Sequence, residues 1–258
     1  MSGTVDYERH GRVAVVTMNR PEVLNAFNRE LAHDLRDAMM RAAGDAGARA
    51  VVLRGAGGKF CAGADLKQGF PTDRRVEDLI NIDFRPTLDM IAGMEKPVIA
   101  SVAGPAAGIG LSFALACDLV VMAEDAYLLS PFAAIGLVPD GGATWLLVRQ
   151  LGYYRAYQLC IEAERIAAQR CLELGLANRV VPTGQLDEES LSWAAELAER
   201  APLALARTKL AMRAAMKLSL TEAIAYEAQL QTACLESEDS KEGIAAFLAK
   251  RKPEFRGK

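Results

Sequence analysis

Gly104-Pro105-Ala106-Ala107-Gly108-Ile109-Gly110 runs directly into Leu111-Ser112-Phe113-Ala114-Leu115-Ala116-Cys117, a glycine-punctuated loop that opens an apolar, helix-like segment. Small residues let a backbone approach a ligand closely, and the free N–H groups at a helix start favour negative charge. By itself the stretch supports two readings equally: an anion-binding helix start, or a tight strand-to-helix turn whose glycines serve packing. A second stretch of the same character, Gly57-Gly58-Lys59-Phe60-Cys61-Ala62-Gly63-Ala64-Asp65-Leu66, tips the balance toward a ligand. Two such loops can aim two N–H groups at one oxygen.

Each loop follows an apolar, β-branched run. Ala50-Val51-Val52-Leu53-Arg54 leads into the first and Pro97-Val98-Ile99-Ala100-Ser101-Val102 into the second, and Val13-Ala14-Val15-Val16-Thr17-Met18 precedes both. These read as buried strands. Between them, Leu31, Leu35, Met39 and Ala42 recur at helical spacing behind Asn28, a candidate N-cap, and a helix is expected from Val76 to Met94. The polar stretch from Gln68 to about Arg75 reads as a cover. Leu119–Ala123 and Tyr127–Ser130 continue the strands, and Gly136-Leu137-Val138-Pro139-Asp140-Gly141-Gly142 is a third loop, opening Ala143–Val148. Past a short strand at Arg179–Pro182, the segments 185–200, 203–216 and 220–235 are helical in period. The alternation predicts an α/β fold with a helical C-terminal part.

Composition narrows the function. The 258 residues are 51% hydrophobic, enough for a sizeable core, and a net charge of −3 gives no basic surplus for nucleic acid. No run reaches the length of a membrane span and the N-terminus has no signal-peptide pattern, so a cytoplasmic protein is expected. Cys61, Cys117, Cys160, Cys171 and Cys234 are odd in number and sit in apolar context, and with only His10 and His33 beside them neither disulfides nor a metal centre is expected. The cysteines are read as core residues, with Cys61, in a candidate loop, also a candidate to face a ligand.

A pair of backbone N–H donors suits an enolate oxygen, whose charge grows as an α-proton leaves; what remains to be found is a base. Apart from Asp65, Asp140 is the carboxylate of the three glycine loops. An Asp just ahead of a helix is also a favoured N-cap, and on the residue alone that reading comes first. For Asp65 the preferred reading is a structural carboxylate that ties its loop down. There is no Gly-x-Ser-x-Gly elbow to suggest a serine hydrolase, and Gly108-x-Gly110 lacks the third glycine of a dinucleotide site because position 113 is Phe. Tyr153 and Tyr154 are read as packing residues, as in the main are Phe70, Phe84, Phe132 and Trp145, which are also candidates for lining a ligand pocket.

Asn19-Arg20-Pro21 with Leu24-Asn25-Ala26, Phe60 to Leu66, Gly104-x-Ala106-x-Gly108-x-Gly110, Ala116-Cys117-Asp118 and Gly136 to Gly142 occur in that order. Together they resemble the enoyl-CoA hydratase/isomerase (crotonase) superfamily over about residues 12 to 182, and Phe247 to Phe255 resembles its C-terminus. The resemblance implies a core of repeated ββα turns over residues 1–200 and a helical region over 201–258 that assembles homotrimers, often paired into hexamers. It implies an acyl-CoA thioester as substrate, with coenzyme A as part of that substrate and no other cofactor. Carried onto this chain, the oxyanion-hole N–H groups belong to Ala64 and Ile109. The coenzyme A portion then lies near Val23, Leu24 and Ala26, along Ala62, Asp65 and Leu66, and by Gly108, with Phe255 of a neighbouring subunit over the adenine.

The sequence departs from the family's hydratases where it matters most. They carry one glutamate two residues beyond the Gly108-x-Gly110 match and another just after the Pro131 match; here those places hold Ser112 and Phe132. Hydration asks for a group to activate water and a proton donor, whereas one carboxylate suffices to move a double bond through a dienolate. Asp140 matches the acidic residue of several isomerases of the family. The expectation is an enoyl-CoA isomerase, with a hydratase as the alternative. Behind these stand a hydrolase or dehalogenase with Asp140 as nucleophile, and a non-catalytic acyl-CoA-binding subunit.

Overall fold

The computed structural model describes residues 3–69 and 75–258. Strands β1 (Val5–His10) and β2 (Val13–Met18) form an antiparallel hairpin around Gly11, whose φ of +58° suits glycine at the turn. Helix α1 (Arg29–Gly44) begins where predicted: the Asn28 side chain accepts the Leu31 N–H, and Leu31, Leu35, Met39 and Ala42 are buried. Strand β3 (Ala50–Gly55) pairs in parallel with β2, Val13 opposite Ala50.

The expected helix over 76–94 arrives in three pieces, α2 (Val76–Asp78), a π-helical segment Leu79–Phe84, and α3 (Arg85–Gly93). Pro86, at the second position of α3, accounts for the break in register, since it has no N–H to continue an α-helical ladder. Strand β4 (Val98–Val102) follows, and then β5 (Pro105–Ala107), a short strand inside what reads as a pure turn. Helix α4 (Ile109–Ala116) is buried at every position, as its sequence, apolar but for Ser112, requires. Strands β6 (Leu119–Ala123) and β7 (Tyr127–Leu129) lead to α5 (Ala143–Leu151), α6 (Tyr153–Glu162), β8 (Ile166–Ala167), α7 (Ala168–Glu173) and β9 (Arg179–Val181).

The main sheet has the order β1-β2-β3-β4-β6-β9, parallel from β2 onward, and β5, β7 and β8 form a second, smaller sheet. All five residues of β4 are buried, so both faces of the main sheet are covered. Helix α8 (Leu186–Ala198) lies across β3, β4 and β6, where the Ser190 hydroxyl donates to the Ser101 hydroxyl at 3.0 Å. Helices α9 (Pro202–Ala215), α10 (Leu220–Leu235) and α11 (Glu238–Leu248) complete the chain. Among the described residues, no helix is long and apolar enough to cross a membrane.

Candidate active site

The first loop is held by residues whose work is not evident from their type. Asn25 is buried and left-handed (φ +55°), and its side chain accepts the Arg20 N–H and donates to the carbonyls of Ala56 and Lys59. Leu24 shares the left-handed geometry, so two adjacent non-glycine residues sit in a strained region that these bonds sustain. The Arg20 guanidinium donates to the Ala26 carbonyl and pairs with Asp65 at 3.1 Å, so Asp65 does tie its loop down. Backbone bonds from Ala62 to Leu24, from Phe27 to Gly63 and from Asp65 to Phe27 zip the two segments together.

The second loop is stitched to the first. Cys61 N–H donates to Pro105 and Ala107 N–H to Cys61, both at 2.9 Å. Gly108 (φ +55°, ψ −126°) precedes α4 in a conformation that only glycine adopts readily. A Cβ there would come 3.5 Å from Gly63 Cα, and one on Gly110 would meet Cys61 at 2.8 Å. The glycines therefore bring the two backbones into contact. Among the described residues, the N–H groups of Ala64 and Ile109 donate to no backbone or side-chain acceptor.

The third loop lies over the start of α4. A Cβ on Gly141 (φ +58°) would collide with the Ile109 side chain and come 3.0 Å from Ser112 Cβ. The Asp140 carbonyl accepts from Ala143 N–H at 3.0 Å and from the Ser112 hydroxyl at 2.9 Å. Helix α5 takes Gly142 as its N-cap, and Asp140 caps nothing. That corrects the capping expectation, and the reason is local: Gly141 and Gly142 are both left-handed and set the helix start two residues farther on than the Asp pattern suggests. Instead, among the described residues Asp140 Oδ1 is buried without a partner, and desolvation pushes the carboxyl up to about 6.

Other candidates resolve as follows. Cys61 is fully buried, its thiol pushed up to about 12 by burial, so it does not face a ligand. Ser112 and Phe132 are buried at the site, and the Phe132 ring would lie 3.9 Å from a Cβ on Gly108. Phe84 packs edge-on against Phe27 in the core, while Trp145 is exposed, with the Arg149 guanidinium over its ring. Tyr153 and Tyr154 depart from the packing expectation: Tyr154 is 87% exposed, and Tyr153, 60% exposed, stacks on exposed Tyr157. Phe70 and most of the expected cover over 68–75 lie outside the described residues.

Along the expected coenzyme A track, Leu24 and Leu66 are exposed and Ala26 is buried, with Val23 and Ala62 between these extremes. Phe255 is held by its own chain, its carbonyl accepting from Arg49 and its ring against Gly243. No group of three or more metal-ligating side chains occurs among the described residues. Arg20 and Asn25 carry no sequence signal beyond their place in the Asn19–Ala26 motif; the Ser112 contact spans 28 positions and has none.

The family profile described as Enoyl-CoA hydratase/isomerase matches residues 8–258. A Rhodobacter capsulatus protein named "Probable enoyl-CoA hydratase" is 40% identical over 99% of this chain and 98% of its own length. The 1,2-epoxyphenylacetyl-CoA isomerase of Escherichia coli is 36% identical over 95% of each chain. The crystal structure of an enoyl-CoA hydratase from Polaromonas sp. JS666 superposes with a TM-score of 0.93 at 37% identity, covering 98% of this chain and 100% of the other. Hydratase names predominate over isomerase names among such relatives.

Proposed function

The chain belongs to the enoyl-CoA hydratase/isomerase (crotonase) family of acyl-CoA enzymes, and on that premise we propose that it is an enoyl-CoA isomerase with Asp140 as its base. In this reading Asp140 removes a proton from C2 of a 3-enoyl-CoA. The electrons pass into a dienolate whose thioester oxygen is held by the Ala64 and Ile109 N–H groups. The protonated Asp140 then returns the proton to C4, leaving the 2-enoyl-CoA.

The observation that carries this reading is the isolation of the Asp140 carboxyl, raised to about 6 by burial, with its Oδ1 buried and unpartnered among the described residues. A group poised near neutral pH both takes and returns a proton efficiently. The hydratases' two glutamate places hold Ser112 and Phe132, which supply no second acid or base.

The names of the relatives favour a second reading, a hydratase in which Asp140 activates water. Proton NMR in deuterated water, with a 3-enoyl-CoA and separately a 2-enoyl-CoA, separates the two. Double-bond migration without 3-hydroxyacyl-CoA, lost in Asp140→Ala, is the expected result. Formation of 3-hydroxyacyl-CoA overturns it in favour of hydration.

The same reading assigns catalysis to residues 1–200 and assembly, as a homotrimer or hexamer, to 201–258. In support, α10 buries no residue against its own chain, and Leu220, Ile224, Leu235, Phe247 and Leu248 are exposed. Light scattering that gives a monomer mass would refute the assembly.

A further inference from the structure

Ser112 sits in the first turns of α4 and is wholly buried. A helical serine ordinarily satisfies itself on the carbonyl one turn back. Ser112 instead donates to the Asp140 carbonyl, 28 positions away. Among the described residues it is the side chain that hydrogen-bonds to the turn Pro139–Gly142. With Ala143 N–H on the same oxygen, both lone pairs of that carbonyl are used. The packing agrees, since Gly141 rests on the Ser112 and Ile109 side chains too closely to admit a Cβ.

We propose that Ser112 is a positioning residue: its hydroxyl pins the Asp140–Gly141 peptide to α4 and so keeps the Asp140 carboxyl isolated at the start of that helix. A buried carboxyl oxygen with no partner is costly, and a loop free to swing would turn it toward water. The turn has one side-chain tether against that swing, and Ser112 supplies it. No ion pair reaches Asp140 among the described residues, so its environment depends on where the loop holds it. This rests on the proposed function only in calling Asp140 the base.

The test uses the full chain with ¹³C-labelled aspartate, Asp140 being assigned by its loss in Asp140→Asn. Carboxyl titration is followed in wild type, Ser112→Ala, Ser112→Cys and Ser112→Thr, together with kcat and KM for double-bond migration. Wild type is expected to titrate at about 6. Ser112→Ala and Ser112→Cys, which lack a strong donor, shift Asp140 down toward the usual carboxylate range and lower kcat ~10-fold with KM little changed. Ser112→Thr restores both. Cys nearly matches Ser in size, so it reports on the hydrogen bond even if the alanine variant folds poorly. An unchanged Asp140 titration in both Ala and Cys variants overturns the proposal. Should the wild type move no double bond, the isomerase reading fails while the titration still decides the role of Ser112.

Discussion

The two ends of helix α4 handle charge in opposite ways. At its C-terminal end the charges are paired: Arg213 donates to the Ala116 carbonyl and to Asp118 Oδ1, while Asp118 Oδ2 accepts from Val98 N–H and from Lys209 at 2.7 Å. Lys209 also donates to the carbonyls of Ile91 and Lys96. At its N-terminal end, among the described residues, the Ile109 N–H is unclaimed and the Asp140 carboxyl has an unpartnered oxygen. Polar satisfaction marks a joint that must hold; polar dissatisfaction, maintained by surrounding packing, marks a place waiting for a ligand. One helix thus carries a structural joint to α9 at one end and, on the proposed reading, a reaction at the other.

Exchanging the fates of the two aspartates gives the largest effects. Asp118→Ala strips Lys209, whose side chain is 9% exposed, of its counter-charge. Breaking such a buried pair costs about 3–5 kcal/mol, and desolvation, which already lowers the Lys209 pKa, then acts with less opposition. Chemical denaturation should show that loss, with the surviving folded fraction still turning over at the wild-type kcat. Asp140→Ala should do the reverse, losing double-bond migration by ~10²–10⁴-fold while keeping the fold. If Asp118→Ala abolished turnover in folded protein, the division between the two ends would be wrong.

How far this division shows in the sequence depends on the range of the forces behind it. Buried strands such as Val98–Val102 and the glycine loops are legible because apolar runs and glycine report local demands. Strand β5 is not: Pro105-Ala106-Ala107 has no β signature and becomes a strand only through pairing with Tyr127–Leu129. Asp140 is found as a candidate by its loop, yet its N-cap reading fails because two left-handed glycines decide where α5 begins. The joint of Asp118 with Lys209 and Arg213 joins residues more than ninety positions apart, and no local pattern announces it. The same is true of the Ser112 tether.

A smaller effect follows from the isolation itself. The unfolded Asp140 carboxyl titrates near the ordinary 3.8 and the folded one at about 6, so between those values the folded chain keeps a proton that the unfolded chain has released. Stability therefore falls as pH rises through that window, by roughly 2–3 kcal/mol at most, because part of the residue meets solvent. Asp140→Asn should raise Tm relative to wild type at pH 8 and lose that advantage at pH 4. Activity runs the other way: kcat/KM should rise with pH through about 6 as the base ionises. An Asn variant no more stable than wild type at pH 8 would mean that the carboxyl is not desolvated, and the contrast with Asp118 would narrow to one of partners alone.

The smallest expected effect probes what keeps the N-terminal end dissatisfied. Gly141 has a φ of +58° and leaves no space for a Cβ against Ile109 and Ser112. Gly141→Ala costs about 1–2 kcal/mol for the left-handed backbone, a modest loss that the fold tolerates. Its consequence for the site is larger than its consequence for stability, because the methyl group must lift the third loop from α4. Lifting the loop lets water reach Asp140, so the acid limb of the pH profile should move below its wild-type position while KM stays close to wild type. A variant with lower stability and an unmoved limb would show that Asp140 is kept dry by groups other than the Gly141 contact. The isolation of the carboxyl would then belong to the wider pocket rather than to the meeting of this one loop with the helix.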